Sequence, residues 1–186
     1  VSPRRIRTDP ASAVIATYSV PAGTPTARLL MRANLQPDEQ YGVFAADNAL
    51  TCSGMRRVGN GTTQQQPAPA VLAAGQLMTL AYVVTKAPRQ VCQVLWSFTP
   101  EAGRVYALQG VAAPTGCLSV LFDVTQPDRS HPATGAVRRN VGGQLCAPLD
   151  KSAPVPRSPL EGGQSHGEAV LNPAATTVDL EGLIKP

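Results

Sequence analysis

QVCQVLWSF (residues 90–98), RVYALQGVA (104–112) and CLSVLFDVT (117–125) decide the fold class. Each run is about nine residues long and places β-branched and aromatic side chains at a period of two, which predicts β-strands. The linking segment 99–103 holds a Pro that presets φ and a Gly that supplies a positive φ, as turns require. We therefore predict an antiparallel meander of three consecutive strands, with 104–112 as the hairpin partner of 90–98.

The segments before the meander predict further strands. These strands are expected at 13–20, 27–35 (where a helix is the alternative), 40–46 and 76–85. The last of them is apolar on both faces, which indicates one side covered by a second sheet and the other by an arm, a loop or a partner. A buried helix is the alternative for this segment. Residues 53–70 and 126–143 are rich in turn-forming residues and are predicted to be loops.

The composition favours an all-β domain. The 186 residues are 43% hydrophobic but only 4% aromatic, and they include 18 Pro and 16 Gly. Pro and Gly destabilise helix interiors and suit short strands joined by turns. We predict an antiparallel β-sandwich of immunoglobulin-like or transthyretin-like type over residues 13–146. An extended N-terminal arm (1–12) and a Pro/Gly-rich tail (147–186) would flank it.

The four cysteines indicate disulfide bonds rather than a metal site. None belongs to a CxxC pair, and their wide spacing does not fit zinc ligands. An even number of cysteines in a small β-rich chain is typical of an oxidising compartment. Three pairings are possible. We favour Cys92–Cys117, linking neighbouring strands of one sheet, and Cys52–Cys146, linking an early segment to the end of the domain. Four buried thiols in a cytosolic protein are the alternative.

The charge pattern argues against nucleic-acid binding, and the hydropathy pattern argues against a membrane span. The net charge is +4, but the arginines are scattered and lack the interleaved aromatic residues of a nucleic-acid interface. The longest uncharged stretch, 59–85, is broken by Pro and Gly, and its apolar part is too short to cross a bilayer. We expect neither a nucleic-acid partner nor a direct membrane span.

No residue pattern predicts a reaction or a metal. The two histidines, His131 and His166, lie in a predicted loop and in the tail, without ligand spacing or triad partners. Asp123 and Asp128 flank a short loop, but two carboxylates fall short of a calcium site. We therefore expect a protein that is not an enzyme and holds no cofactor or metal.

One run of residues resembles a pattern of small bacterial periplasmic proteins and lipoproteins. The pattern is a Cys-bearing strand, a Phe-x-Pro-x-x-Gly-x-x-Tyr hairpin and a second Cys. In this chain Cys92, Phe98, Tyr106 and Cys117 carry it, with Pro and Gly in the turn between. Such proteins are typically β-sandwiches of the cell envelope, often without catalysis. The resemblance implies a periplasmic or outer-membrane-associated location.

The arms suggest how such a domain would act. We expect a non-catalytic structural or assembly component of a bacterial cell-envelope complex, of secretion, pilus or flagellar type, that docks to other protein subunits through its arms. The tail has one apolar cluster, 176–184, and the residues predicted to bind a partner are Thr177, Val178, Leu180, Leu183 and Ile184. The alternative is a free-standing periplasmic ligand-binding or inhibitor module. A homo-oligomer within the assembly is a further option.

Overall fold

The computed structural model describes residues 15–86, 90–111, 116–139 and 146–152. Ten strands in these ranges form two five-stranded sheets that pack against each other, as predicted for a β-sandwich. The strands are β1 (Thr26–Asn34), β2 (Glu39–Asn48), β3 (Ser53–Gly61), β4 (Ala70–Ala73), β5 (Met78–Lys86), β6 (Gln90–Phe98), β7 (Val105–Val111), β8 (Leu118–Asp123), β9 (His131–Pro132) and β10 (Val137–Arg139). Two short 3-10 turns, Pro127–Arg129 and Leu149–Lys151, are the helical elements of the described chain.

The two sheets differ in their topology. The first, here called the β1 sheet, has the order β4-β1-β7-β8-β9, and the second, the β5 sheet, has the order β10-β6-β5-β2-β3. All neighbouring strands run antiparallel except β1 and β7, which are parallel and place Leu29 beside Tyr106. A parallel pair requires a long connection, and here the chain builds β2 to β6 between the two strands.

The core lies between the sheets and is formed by every second residue of the central strands. Its largest fully buried apolar members are Leu29, Met31, Val43, Leu72, Leu80, Tyr82, Phe98 and Leu108. The rings of Phe98 and Tyr106 meet edge to face across the two sheets, 5.1 Å apart. Burial of each such side chain contributes about 1.5–3 kcal/mol, so this layer is the main source of stability.

The predicted hairpin between residues 90–98 and 104–112 is wrong. β6 pairs with β5, whereas β7 lies in the other sheet between β1 and β8. The linking segment crosses the sandwich, since the Gly103 N–H donates to the Thr26 carbonyl at 2.9 Å and the Pro100 carbonyl accepts from Gly75 N–H at 2.8 Å. A period of two defines which face of a strand is buried, but it does not say which sheet the strand joins.

The strands at one side of the sandwich also differ from the prediction. Residues 53–61 form the edge strand β3 rather than a loop, because their Ser, Gly and Arg residues pair with β2 through backbone hydrogen bonds and need no apolar alternation. The predicted strand at 13–20 is described only from residue 15 onward. In this part of the chain, a single β-bridge joins Thr17 to Arg57. In the predicted loop 126–143, the described part contains β9 and β10.

Tyr18 closes the side of the sandwich where β3 and β4 form the sheet edges. Its backbone N–H donates to the Arg57 carbonyl at 2.8 Å, and its hydroxyl accepts from the Ala73 N–H at 3.0 Å. The segment before β1 therefore bridges one edge strand of each sheet.

Disulfide bonds join Cys52 to Cys146 and Cys92 to Cys117, the pairings favoured from the sequence. The expected position of the second bond is wrong. Cys92 lies on β6 and Cys117 directly precedes β8, so the bond links the two sheets rather than neighbouring strands of one sheet. Within the described ranges, no helix is long and apolar enough to cross a membrane.

Candidate protein-docking face

The outer face of the β5 sheet is covered by the chain itself. Ala81 and Leu95 point away from the core and are buried beside Cys52, with Cys146 and neighbouring side chains packed against them. The segment that begins at Cys146 therefore lies over this face. This contact explains why residues 76–85 are apolar on both sides, as expected for a strand covered by a sheet and a loop.

Arg139 holds that covering segment in place. The guanidinium Nε donates to the Ala147 carbonyl at 3.2 Å, and Nη2 donates to the same carbonyl at 2.6 Å. Nη2 also donates to the Leu50 carbonyl at 2.7 Å. Nη1 donates to the Ala49 carbonyl at 2.9 Å and to Ser97 Oγ at 3.1 Å. All five guanidinium donors are thus used. Arg139 is 3% exposed, and no described carboxylate forms an ion pair with it.

The electrostatics of Arg139 fit a structural role. Burial lowers its pKa from the ordinary arginine value, but an arginine side chain keeps its charge in proteins. No sequence pattern predicts this role, because Arg138 and Arg139 adjoin in a predicted loop and only the second is buried, on the outer side of the sheet beside Leu95.

The outer face of the β1 sheet is apolar and carries no covering segment among the described residues. We call it the apolar face, and its members are Leu30, Val71, Val105, Ala107, Val111, Leu118, Val120 and Phe122. One row of outward residues crosses the sheet from β1 to β9. Leu30 on β1 neighbours Ala107 on β7, which neighbours Phe122 on β8. Phe122 in turn neighbours Pro132 on β9. Solvated outer faces of antiparallel sheets are normally polar, so an apolar face of this kind is typical of an interaction site.

Two members of the apolar face are strongly exposed. Val71 has an exposed fraction of 51% and Val111 of 41%, whereas the other members are half-buried by their neighbours in the sheet. The face therefore has half-buried residues at its centre, where Gln109 lies between Arg32 and Val120, and more exposed apolar positions toward two of its margins.

β8 shows how the sequence produces this arrangement. Its apolar residues Leu118, Val120 and Phe122 point outward, whereas Ser119 and Asp123 are buried on the other side. Leu121 also faces the core, so β8 has apolar residues on both sides and lacks the polar outer side of an ordinary amphipathic strand.

Hydrogen bonds stabilise the two inward polar residues of β8. Ser119 Oγ accepts from Trp96 Nε1 at 2.9 Å, and an Asp123 oxygen accepts from the Thr125 hydroxyl at 2.6 Å and from its N–H at 2.9 Å. Burial alone would raise the pKa of Asp123, but the Thr125 hydrogen bonds and the nearby Arg104 cation lower it on balance. The buried carboxylate is therefore held in its charged form.

Two arginines stand on the β1 side of the apolar face. Arg28 and Arg32 lie on the same side of β1 as Leu30 and are exposed. Neither forms an ion pair with any described residue. Because no carboxylate occupies an outward position on β1, β4, β7 or β8, the face combines an apolar centre with uncompensated positive charge.

The described residues also form a polar cleft of about 640 Å³ beside the β3 edge. Its lining is dominated by amide side chains and consists of Gln40, Asn60, Gly61, Thr62, Gln64, Gln65 and Gln66. The lining side chains are neutral amides and a threonine hydroxyl, so the cleft offers chiefly hydrogen-bond donors and acceptors.

The other residues considered from the sequence are not brought together. His131 is exposed and its Nδ1 lies 2.9 Å from the Pro132 carbonyl, and no cluster of three potential metal-ligating side chains occurs in the described ranges. Thr177, Val178, Leu180, Leu183 and Ile184 lie outside the described residues, as does His166.

The apolar face itself was missed from the sequence. A signal was present, since both alternating sets of residues in 104–112 and 117–125 are rich in apolar side chains.

Comparison with protein-family models, with curated proteins and with solved structures finds no match to this chain.

Proposed function

We propose that this protein is a non-catalytic assembly component of a bacterial cell-envelope complex, of secretion, pilus or flagellar type, and that its apolar face receives a protein partner. One observation carries the proposal: an outward apolar sheet face that includes Phe122, beside Arg28 and Arg32, which form no ion pair with any described residue. Aromatic residues and arginine are enriched in protein interfaces, and buried aromatic side chains near the centre contribute most of the binding energy.

The location of the protein is part of the same proposal. The two disulfides are a mark of an oxidising, extracytoplasmic environment. Within that environment, we place the protein in the periplasm or at the outer membrane, where subunits of envelope complexes assemble.

The partner should present apolar and acidic side chains together. Apolar side chains would bury Val120 and Phe122, and carboxylates would pair with Arg28 and Arg32. Such pairing would favour a correct partner over a basic one, because opposing like charges costs several kcal/mol at an interface.

A free-standing ligand-binding module is the second candidate. The polar cleft beside β3 supports it, since its amide groups offer several donors and acceptors in one place. In that case the cleft would bind a small polar molecule, and the apolar face would have no partner.

Site-specific photo-crosslinking in the producing bacterium separates the two candidates. A photoreactive residue at position 120, on the apolar face, should give protein adducts in the envelope fraction. The same residue at position 93, on the outer side of β6, is the control. The adducts should disappear when Arg28 and Arg32 are both replaced by Glu. An absence of adducts at 120, or equal adducts at 93, would exclude the apolar face as the docking site.

A further inference from the structure

We propose that the apolar face binds the C-terminal segment 176–184 of a second copy of this chain, so that copies join head to tail. This inference rests on the proposed docking function of the face and names its partner. It is drawn from three properties of the chain: complementary chemistry, the position at which the described chain ends, and the length that follows.

The segment has the chemistry that the face requires. Its sequence, TTVDLEGLI, contains Asp179 and Glu181 but no Lys or Arg. Its large apolar residues are Val178, Leu180, Leu183 and Ile184. These side chains match the apolar centre of the face, and the two carboxylates match the guanidinium groups of Arg28 and Arg32, which lack ion-pair partners among the described residues.

The start of the tail, at Cys146 and Ala147, lies on the side opposite to the apolar face. Cys146 is bonded to Cys52, and the Ala147 carbonyl accepts two hydrogen bonds from Arg139, all on the outer side of the β5 sheet. The apolar face is the outer side of the β1 sheet. The donor and acceptor parts of the contact thus lie on opposite sides of one sandwich, which is the arrangement that joins successive copies heterologously.

The chain is long enough for this contact. Residues 153–175 separate the last described residue from the segment. An extended chain covers about 3.3–3.6 Å per residue, so this linker can span tens of ångströms, whereas two packed sheets are only about 10 Å apart. The linker therefore reaches a neighbouring copy without distortion of either domain.

A heterologous contact leaves one unused face and one unused tail at the ends of each chain of copies. The mean mass in solution should therefore rise steadily with protein concentration unless a ring closes. The attraction between the arginines and the carboxylates should make the association weaker at high salt.

Charge reversal in the full-length, oxidised chain provides the test. Sedimentation equilibrium over a range of concentrations should show self-association of the unaltered chain. The face variant Arg28→Glu/Arg32→Glu and the tail variant Asp179→Arg/Glu181→Arg should each lose affinity by at least about tenfold, because like charges then oppose each other. A mixture of the two variants, or one chain that carries all four changes, should regain the association.

The control is Arg57→Glu, which reverses an exposed arginine on β3 in the other sheet and should leave the mass distribution unchanged. All these substitutions are at exposed or tail positions, and the rescued chain shows that each variant still folds.

Two outcomes would overturn the inference. One is a monomer at every concentration, which includes the case of a tail bound to its own domain. The other is association that the tail variant does not weaken. If the chain is monomeric but position 120 still forms adducts with another envelope protein, only the self-association fails and the proposed docking function stands. If position 120 forms no adduct of any kind, both fail.

Discussion

The hydroxyl of Tyr82 on β5 occupies the space that a side chain at Gly110 on β7 would need. A Cβ built on residue 110 would lie 1.9 Å from the Tyr82 oxygen. Tyr82 is fully buried, and its hydroxyl has no hydrogen-bond partner among the described residues. The two residues face each other across the sandwich, so the missing side chain of one provides the room for the ring of the other.

Gly110→Ala should therefore lower the free energy of unfolding by about 1–3 kcal/mol, the usual cost of adding a methyl group to a well-packed core. The measurement is urea-induced unfolding of the oxidised protein. Tyr82→Phe is the matched control, because it removes the nearest atom and also an unpaired buried hydroxyl. We expect Tyr82→Phe alone to keep or increase stability, and Gly110→Ala to cost less in that background. Equal stability of Gly110→Ala and the unaltered protein would contradict the packing described here.

The relation between Tyr82 and Gly110 shows what the sequence can and cannot predict. The alternation in residues 76–85 places Tyr82 on one side of its strand together with Met78, Leu80 and Val84, and the structure buries that side. The position of Gly110 opposite Tyr82 depends on the pairing of β7 with β1 in the other sheet. That pairing joins strands far apart in sequence, and no local pattern encodes it.

The candidate site also depends on the sheet topology. The spacing of the cysteines favoured the correct pairs, but the location of Cys92–Cys117 between the sheets required the topology. The apolar face cannot be predicted from the sequence when every apolar residue of a strand is assigned to the core. Its recognition required knowing that Ser119 and Asp123 turn inward and so leave Phe122 outside.

Arg139→Met should destabilise the protein by about 1–3 kcal/mol, because it removes the donors to the partly buried Leu50 and Ala147 carbonyls, whereas the Ala49 carbonyl keeps its bond from the Thr79 hydroxyl. Arg139→Lys should be intermediate, since an ammonium group cannot reproduce the planar array of five donors. Arg129→Met, at an exposed site, is the control and should change little. Thermal or urea unfolding of the three variants gives the comparison. If Arg139→Met matched Arg129→Met, the guanidinium would not be holding the covering segment.

Removal of the inter-sheet disulfide by Cys92→Ala/Cys117→Ala should lower the free energy of unfolding by about 3 kcal/mol. The bond closes a loop with a sequence separation of 25 and joins strands that otherwise contact each other only through side chains.

A free-thiol count on the denatured, unreduced protein should find none, since all four cysteines are bonded. Two or more titratable thiols per chain would show that one of the bonds does not form in the protein.

Glu39 should account for part of the loss of stability in acid. Its carboxylate is 5% exposed, accepts a hydrogen bond from Lys86 Nζ at 2.9 Å and accepts another from the Gln36 N–H at 3.2 Å. The hydrogen bond from Lys86 lowers the pKa of Glu39 below its ordinary value, against the opposing effect of burial.

A lowered pKa in the folded state means that folding favours the charged form. The stabilisation is therefore complete above the ordinary glutamate pKa of 4.5 and is lost as the pH falls through the folded-state value. Glu39→Gln should reduce the dependence of the unfolding free energy on pH below about pH 4.5 and should lower stability at neutral pH. Asp38→Asn, at the exposed neighbouring position, is the control and should preserve the steep acid limb. Urea unfolding at a series of pH values measures the unfolding free energy of both variants. If this free energy fell with pH in the same way for Glu39→Gln and for the unaltered protein, the ion pair between Glu39 and Lys86 would contribute nothing to acid sensitivity.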